Sequence, residues 1–123
     1  MSYVDGFLIP VPTKNLKEYK KMAAKASKIW KEYGALDYKE CIGEDLKIKG
    51  VVSFHKAAKT KPKETVIFSY IVYRSRKHRD VVNAKVMKDP RLAQMCPEQS
   101  GKEPFFDVKR MAYGGFKVIV DAK

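Results

Sequence analysis

One stretch limits what this chain can become: ETVIFSYIVYRSRKHRDVVNAKVMK, from Glu64 to Lys88. Its first part, Thr65 to Tyr73, holds β-branched, aromatic and small residues and no charge. That length and composition predict a strand, not a helix. Alternation puts Val66, Phe68, Tyr70 and Val72 on one side and Ile67, Ile71 and Tyr73 on the other. A strand apolar on both faces belongs in mid-sheet, covered on both sides. It passes directly into a helix, with Ser75 as its cap and Arg76 to about Lys88 as its body. His78, Val82 and Val86 form the inward stripe of that helix, and Asp89-Pro90 ends it.

The rest of the chain supplies the neighbours. YVDGFLIPV, Tyr3 to Val11, reads as a first strand that Pro10 and Pro12 close. A helix follows from Asn15 to Tyr33, with Asn15 and Glu18 spaced as a capping box and Gly34 as its left-handed stop. Leu16, Tyr19, Met22/Ala23, Ala26, Ile29/Trp30 and Tyr33 make its apolar stripe, read as core. Lys17, Lys21, Lys28 and Lys31 face the other way, read as solvated. Ala35 to Gly43 alternates as a second strand, with Tyr38, Glu40 and Ile42 on one face. Residues 44–63 read as a long connection with a short edge strand around Val51 to Phe54, either loose or covering something. Cys96 to Asp107 reads as a loop. Arg110 to Asp121 reads as the last strand, where Gly114-Gly115 implies a bulge or a close backbone approach.

The order β-α-β, β-α-β is the ferredoxin-like split arrangement: an α+β domain of residues 1–123 with an antiparallel sheet and both helices on one face. Two helices cover one side, yet the third and last strands are apolar on both. Leaving such side chains wet costs about 1.5–3 kcal/mol each. A second copy over the bare face is the expected remedy, giving a homodimer.

Composition excludes several classes. Hydrophobic residues at 45% and charged ones at 33% describe a globular chain. No run is apolar over the length of a membrane span. MSYVDGFLIP carries Asp5 and no basic start, so a secretory signal is not expected and the cytoplasm is. The net charge of +12 raises nucleic acid as a partner. Lys and Arg are spread evenly over the two halves, without a basic tail or block, so solubility is the preferred reading and nucleic acid an unlikely partner. His55, His78, Cys41 and Cys96 have no zinc-like spacing, and neither a GxGxxG nor a P-loop is present. No metal or cofactor is expected.

Several motifs are family-like. YVDGF (Tyr3–Phe7), EYKKMA (Glu18–Ala23), YKEC (Tyr38–Cys41), the long run from Val66 to Met95 and KRMAYGGF (Lys109–Phe116) resemble the YbaA-like family of small bacterial proteins of unknown function. The resemblance spans nearly the whole chain. It departs at Pro104-Phe105-Phe106-Asp107, displaced from the family's Met-Pro-Phe-Asp, and at Cys96. It implies the dimeric α/β barrel fold and assembly, and it supplies no activity.

Three residues are candidate catalytic groups. Asp5 is a carboxylate early in an interior strand, where burial is costly unless it is paired. It is either a general base or substrate anchor, or half of a structural pair with an arginine such as Arg110. Tyr38 can donate to a carbonyl or phenolate oxygen. His78 can shuttle a proton near neutral pH. Glu40, Tyr70, Asn83 and Arg110 are candidate substrate-binding residues. Each has a plain structural reading as well, as an edge-strand face, a satisfied helix histidine or surface polarity. Three functions stay open: a cofactor-independent oxygenase or isomerase acting on a small aromatic or carbonyl compound, a non-catalytic binding or stress-related module, and nucleic-acid association.

Overall fold

The computed structural model describes residues 2–95 and 105–122. The uncharged run forms β3 (Glu64–Tyr73), which lies between β2 (Asp37–Ile42) and β1 (Tyr3–Pro12). The four-stranded sheet runs β2-β3-β1-β4, with β4 at Ala112–Lys117, and every pairing is antiparallel. β1 continues through Pro10 and Pro12, past Leu8, the last residue paired with β4. Prolines are tolerated there because β1 is an edge on that side.

Helices α1 (Leu16–Glu32) and α3 (Arg76–Met87) cover one face of the sheet. Ile29, Ala35, Ile71, Tyr73, Val82 and Val86 form one buried cluster, and Ile9, Val11, Tyr19, Ala23 and Ile67 a second. Ser75 caps α3 as expected, its hydroxyl accepting from the His78 N–H at 3.1 Å. Gly34 ends α1 at φ 114°, where a side chain would be strained. Lys17, Lys21, Lys28 and Lys31 are exposed. Asp89 caps α4 (Pro90–Met95) by accepting from the Arg91 N–H at 2.8 Å, and its other oxygen accepts from the Tyr33 hydroxyl at 2.7 Å.

Four expectations are corrected. The last strand, read from Arg110 to Asp121, spans only Ala112–Lys117, because residues 108–110 form a 3-10 turn. Residues 13–15 form a 3-10 turn ahead of α1, and Asn15 makes no capping bond; its amide donates to the Phe105 carbonyl at 3.0 Å. The segment read as an edge strand is a short helix, α2 (Phe54–Ala58), capped by Ser53. It lies on the face that α1 and α3 leave open, with Ala58 buried and Phe54 edge-on to Phe68 at 6.4 Å. Gly114-Gly115 carries no bulge: Gly114 pairs with Gly6 and Gly115 with Asp5 in unbroken register. The close approach is real, since a Cβ on Gly115 would fall 2.3 Å from the Tyr3 hydroxyl. Of the loop expected at Cys96 to Asp107, residues 96–104 lie outside the described residues.

Beyond α2, the open face is apolar along β3 and β4, while Asp37 and Lys39 form an ion pair on its β2 edge. Phe68 is 46% exposed and Phe116 62%.

Arg110 closes the end of the sheet. It donates two bonds of 2.7 Å to the Glu64 carboxylate and a third to the Lys59 carbonyl at 2.9 Å. The guanidinium bonds hold Glu64 down to about 2, against an ordinary 4.5. A depressed carboxylate stabilises the fold above its unfolded value and loses that contribution as pH falls through the folded one. Arg110→Met is therefore expected to lower the melting temperature at pH 7. The deficit shrinks as pH falls from about 4.5 to about 2, and parallel melts of both proteins read it directly.

Candidate functional site

Between the covered face of the sheet and α1, α3, α4 and residues 105–111 lies a cavity of about 460 Å³. Strand register sets its floor. Asp5, Ile71 and Tyr38 are cross-strand neighbours in one row; Tyr113, Phe7, Ser69 and Glu40 form the next. Side chains of paired residues leave the sheet on the same side, so all seven point towards the helices. Tyr19, Met22, Ala26 and Trp30 of α1 form a wall, Asn83 and Met87 of α3 another, and Phe106 and Met111 lie at the third side. Four of the five methionines line the space. The stripe of α1 read as core therefore divides: Ala23 and Ile29 pack the interior, whereas Tyr19, Met22, Ala26 and Trp30 face the cavity.

Asp5 is 1% exposed and fully engaged. Arg79 Nη1 donates to Oδ1 at 2.7 Å; Tyr113 and Asn83 donate to Oδ2 at 3.1 and 3.3 Å. The Asn83 oxygen accepts from Trp30 Nε1 at 3.1 Å and from the Tyr73 hydroxyl at 3.0 Å. Arg79 is fixed further by Asp80 at 2.7 Å and by the Tyr3 ring, 5.0 Å beneath its guanidinium. Burial and the Asp5 carboxylate push the Tyr73 and Tyr113 hydroxyls upward, so both remain donors. The arginine partner of Asp5 is thus Arg79 and not Arg110.

Glu40 is set differently. Tyr19 donates to Oε1 at 2.7 Å and Tyr38 to Oε2 at 2.8 Å. Burial, then the adjacent carboxylate, pushes both phenols well above their ordinary range. Among the described residues no cation forms an ion pair with Glu40. The Tyr19–Glu40–Tyr38 trio separates the cavity from an outer groove of about 500 Å³ between α1 and the edge strand β2, which Lys20 and Ile42 also line.

Of the residues read from sequence, the structure brings together Asp5, Tyr38, Glu40 and Asn83. Three fall elsewhere. Tyr70 pairs with Gly6 and Lys39, on the opposite face of the sheet. His78 sits half-buried beside Tyr73 and Gly34, with Nδ1 accepting from the Arg74 N–H at 3.0 Å; burial and Arg74 push its imidazole downward. Arg110 is held by Glu64. Arg79, Tyr19, Trp30, Tyr73 and Tyr113 also belong to the site, though the sequence gives them no mark beyond core or surface positions. Arg79 and Asn83 are four residues apart, one helical turn, and that spacing was the available signal.

The strand order, helix placement and antiparallel register define a ferredoxin-like α+β protein with a cavity on the helix side of the sheet. The chain belongs to the family described as "Protein of unknown function (DUF1428)", which it matches over residues 2–107. It is 44% identical over 121 residues to the uncharacterized protein YbaA of Escherichia coli (strain K12), covering 98% of this chain and 99% of that one, and equally to YbaA of Shigella flexneri. Two solved structures share the fold. SnoaB, a cofactor-independent oxygenase from Streptomyces nogalater, superposes at a TM-score of 0.58 with 8% identity, over 98% of this chain and 95% of its own. A dimeric ferredoxin-like protein from an uncultured marine organism superposes at 0.56 with 11% identity, over 99% and 100%. Among the described residues no helix is long and apolar enough to cross a membrane.

Proposed function

We propose that this chain is a cytoplasmic homodimer of the α/β barrel type whose helix-side cavity takes a largely apolar, ring-bearing small molecule. The chemistry is of the cofactor-independent oxygenase or isomerase kind. In such chemistry a base removes a proton, and the resulting electron-rich anion either reprotonates elsewhere or reacts with dioxygen. The observation that carries this reading is the cavity itself, apolar over most of its wall and supplied with few polar groups, the usual composition of a ligand site. Within it, Glu40 is the group for the proton: two of its roughly four lone-pair positions are taken by phenols, leaving two for a substrate. The outer groove beyond Glu40 offers a way out to solvent. Asp5, held by Arg79, Asn83 and Tyr113, acts as the brace that fixes the cavity floor. The SnoaB likeness agrees in fold and supports the class of chemistry only by analogy. The apolar open face and the dimeric marine protein support the assembly.

A thermal-shift screen of ring-bearing compounds tests the reading. A ligand at about a hundredfold its Kd adds about 2.7 kcal/mol to the folded state. That gain should vanish in Ala26→Leu, which fills the cavity. Hits unaffected by Ala26→Leu would place binding elsewhere. For any hit that turns over, Glu40→Gln is expected to abolish kcat at saturating substrate; an unchanged kcat would remove Glu40 as the base, and binding without turnover of any hit would leave a non-catalytic binding module as the better description.

A further inference from the structure

We propose that the ligand is a lipophilic organic cation, an aryl- or alkylammonium whose N–H groups meet Glu40 while its hydrocarbon part fills the cavity. The inference rests on the small-molecule reading above and narrows it to a substrate class: one Glu40 oxygen meets the ammonium, and the other keeps its open position for a carbon-bound proton.

Charge is the first argument. The chain carries 26 Lys and Arg, yet none of the described residues lining the cavity is Lys, Arg or His. An anionic ligand would enter a space holding two carboxylates and, among the described residues, no lining cation. Desolvating a charge without a partner is strongly unfavourable.

The second argument is that the two carboxylates differ. Asp5 has its counter-charge in Arg79 at 2.7 Å and its oxygens are occupied. Among the described residues Glu40 accepts only from the neutral hydroxyls of Tyr19 and Tyr38. A phenol satisfies a lone pair without balancing charge. Both phenols are pushed upward by burial and by Glu40, so they hold their protons. A neutral alcohol could fill the remaining positions on Glu40, but only a cationic donor also supplies the missing charge. Charge-assisted N–H···carboxylate bonds are roughly twice as strong as neutral ones.

Third, the walls near Glu40 suit a cation. The Tyr38 and Trp30 rings lie 6.0 Å apart, and Tyr19 meets Phe106 edge-on at 5.4 Å. Aromatic faces attract ammonium groups, most strongly where water is excluded. The methionines beyond them adapt to differing hydrocarbon shapes. A cavity with one carboxylate that has no ion-pair partner among the described residues, aromatic rings beside it and no cation among its described lining is complementary to an amine in its protonated form.

Trp30 is the single tryptophan and lines the cavity, so its fluorescence reports occupancy. Phenethylammonium, phenethyl alcohol and phenylacetate share one frame and differ in the head. Titrated into the wild-type protein, the ammonium is expected to bind about tenfold or more tighter than the alcohol, with phenylacetate weakest. Glu40→Gln should bring the ammonium level with the alcohol. Equal affinity for ammonium and alcohol in the wild type, or tightest binding of phenylacetate, overturns the inference and leaves the cavity reading intact; this comparison needs no variant to fold. A preference for ammonium that survives in a folded Glu40→Gln protein overturns the assignment to Glu40. A response to toluene with none to the three probes removes the cation alone. Silence from all four removes the small-molecule reading with it.

Discussion

Asp5→Ala is expected to destabilise the protein by about 3–5 kcal/mol, because it takes the carboxylate from the buried side of Arg79, which keeps only the exposed Asp80 as a counter-charge. Arg79 keeps only a small part of its side chain in water and has its Nη1 directed at Asp5 and Tyr113. Removing the carboxylate leaves that nitrogen with the Tyr113 oxygen alone. It also frees the amide of Asn83, which holds Trp30 and Tyr73 in place. The double variant Asp5→Ala/Arg79→Leu should recover part of the loss, since an absent pair costs less than a guanidinium whose buried face has lost its carboxylate. Urea denaturation at one fixed protein concentration measures both, the concentration being held because assembly adds to apparent stability. A loss below about 1 kcal/mol for Asp5→Ala would mean the pair behaves as a surface contact. Asp5→Asn separates the brace from a base. If Asp5 only braces, a folded Asp5→Asn protein still binds ligand and changes Trp30 fluorescence; if it is the base, kcat falls while binding stays.

The sequence was readable where one strand or one helix settles a residue's direction. Alternation alone put Tyr38 with Glu40, and the uncharged run of β3 alone put that strand in the middle. Asp5 stood out because a carboxylate in an interior strand demands a partner. What could not be read depends on how elements meet. Tyr70 and Ile71 necessarily face opposite ways, but only the pairing of Asp5 with Ile71 says which faces the site. His78 shares a stripe with Val82 and Val86, yet one turn nearer the start of α3 the helix has reached the corner by Gly34, so the imidazole packs there. Arg79 and Asn83, on the adjoining stripe, reach the cavity floor instead. Asn15 has a capping sequence, and the Phe105 carbonyl, 90 residues away, takes its amide. The five-residue helix α2 is too short for any periodicity to show. Ser53 and the apolar sheet surface beneath Phe54 and Ala58 stabilise it, and only the first of these is local.

Phe68→Glu combined with Phe116→Glu is expected to convert a dimer into a monomer. Both rings belong to the open sheet face, on β3 and β4, and neither supports the covered core: Phe68 is 46% and Phe116 62% exposed in the single chain. Phe116 crosses the position where Gly6 lacks a side chain, with its Cε1 3.1 Å from where a Cβ would stand. Phe68 meets Phe54 at 6.4 Å and Tyr70 at 6.1 Å. The rings are thus parts of one apolar surface extending from α2 across the sheet. In a two-fold assembly every substitution occurs twice. Each ring is about half exposed in the single chain, so the two together bury about one phenylalanine's worth of surface per protomer; losing it twice over removes about 3–6 kcal/mol from association, about two to four orders of magnitude in the dimer Kd, before the cost of burying carboxylates is added. Sedimentation at micromolar protein should therefore show a 14.1 kDa particle for the variant and twice that mass for the wild type. The variant should keep the helical circular dichroism of its parent, since its own core is untouched. A wild-type protein that sediments as a folded monomer at that concentration would show that the open face is tolerated in water, and the barrel assembly would fall. The helix-side cavity would survive that result, because its described lining belongs to one chain; ligand response in a monomeric variant would then show that the site works without its twin.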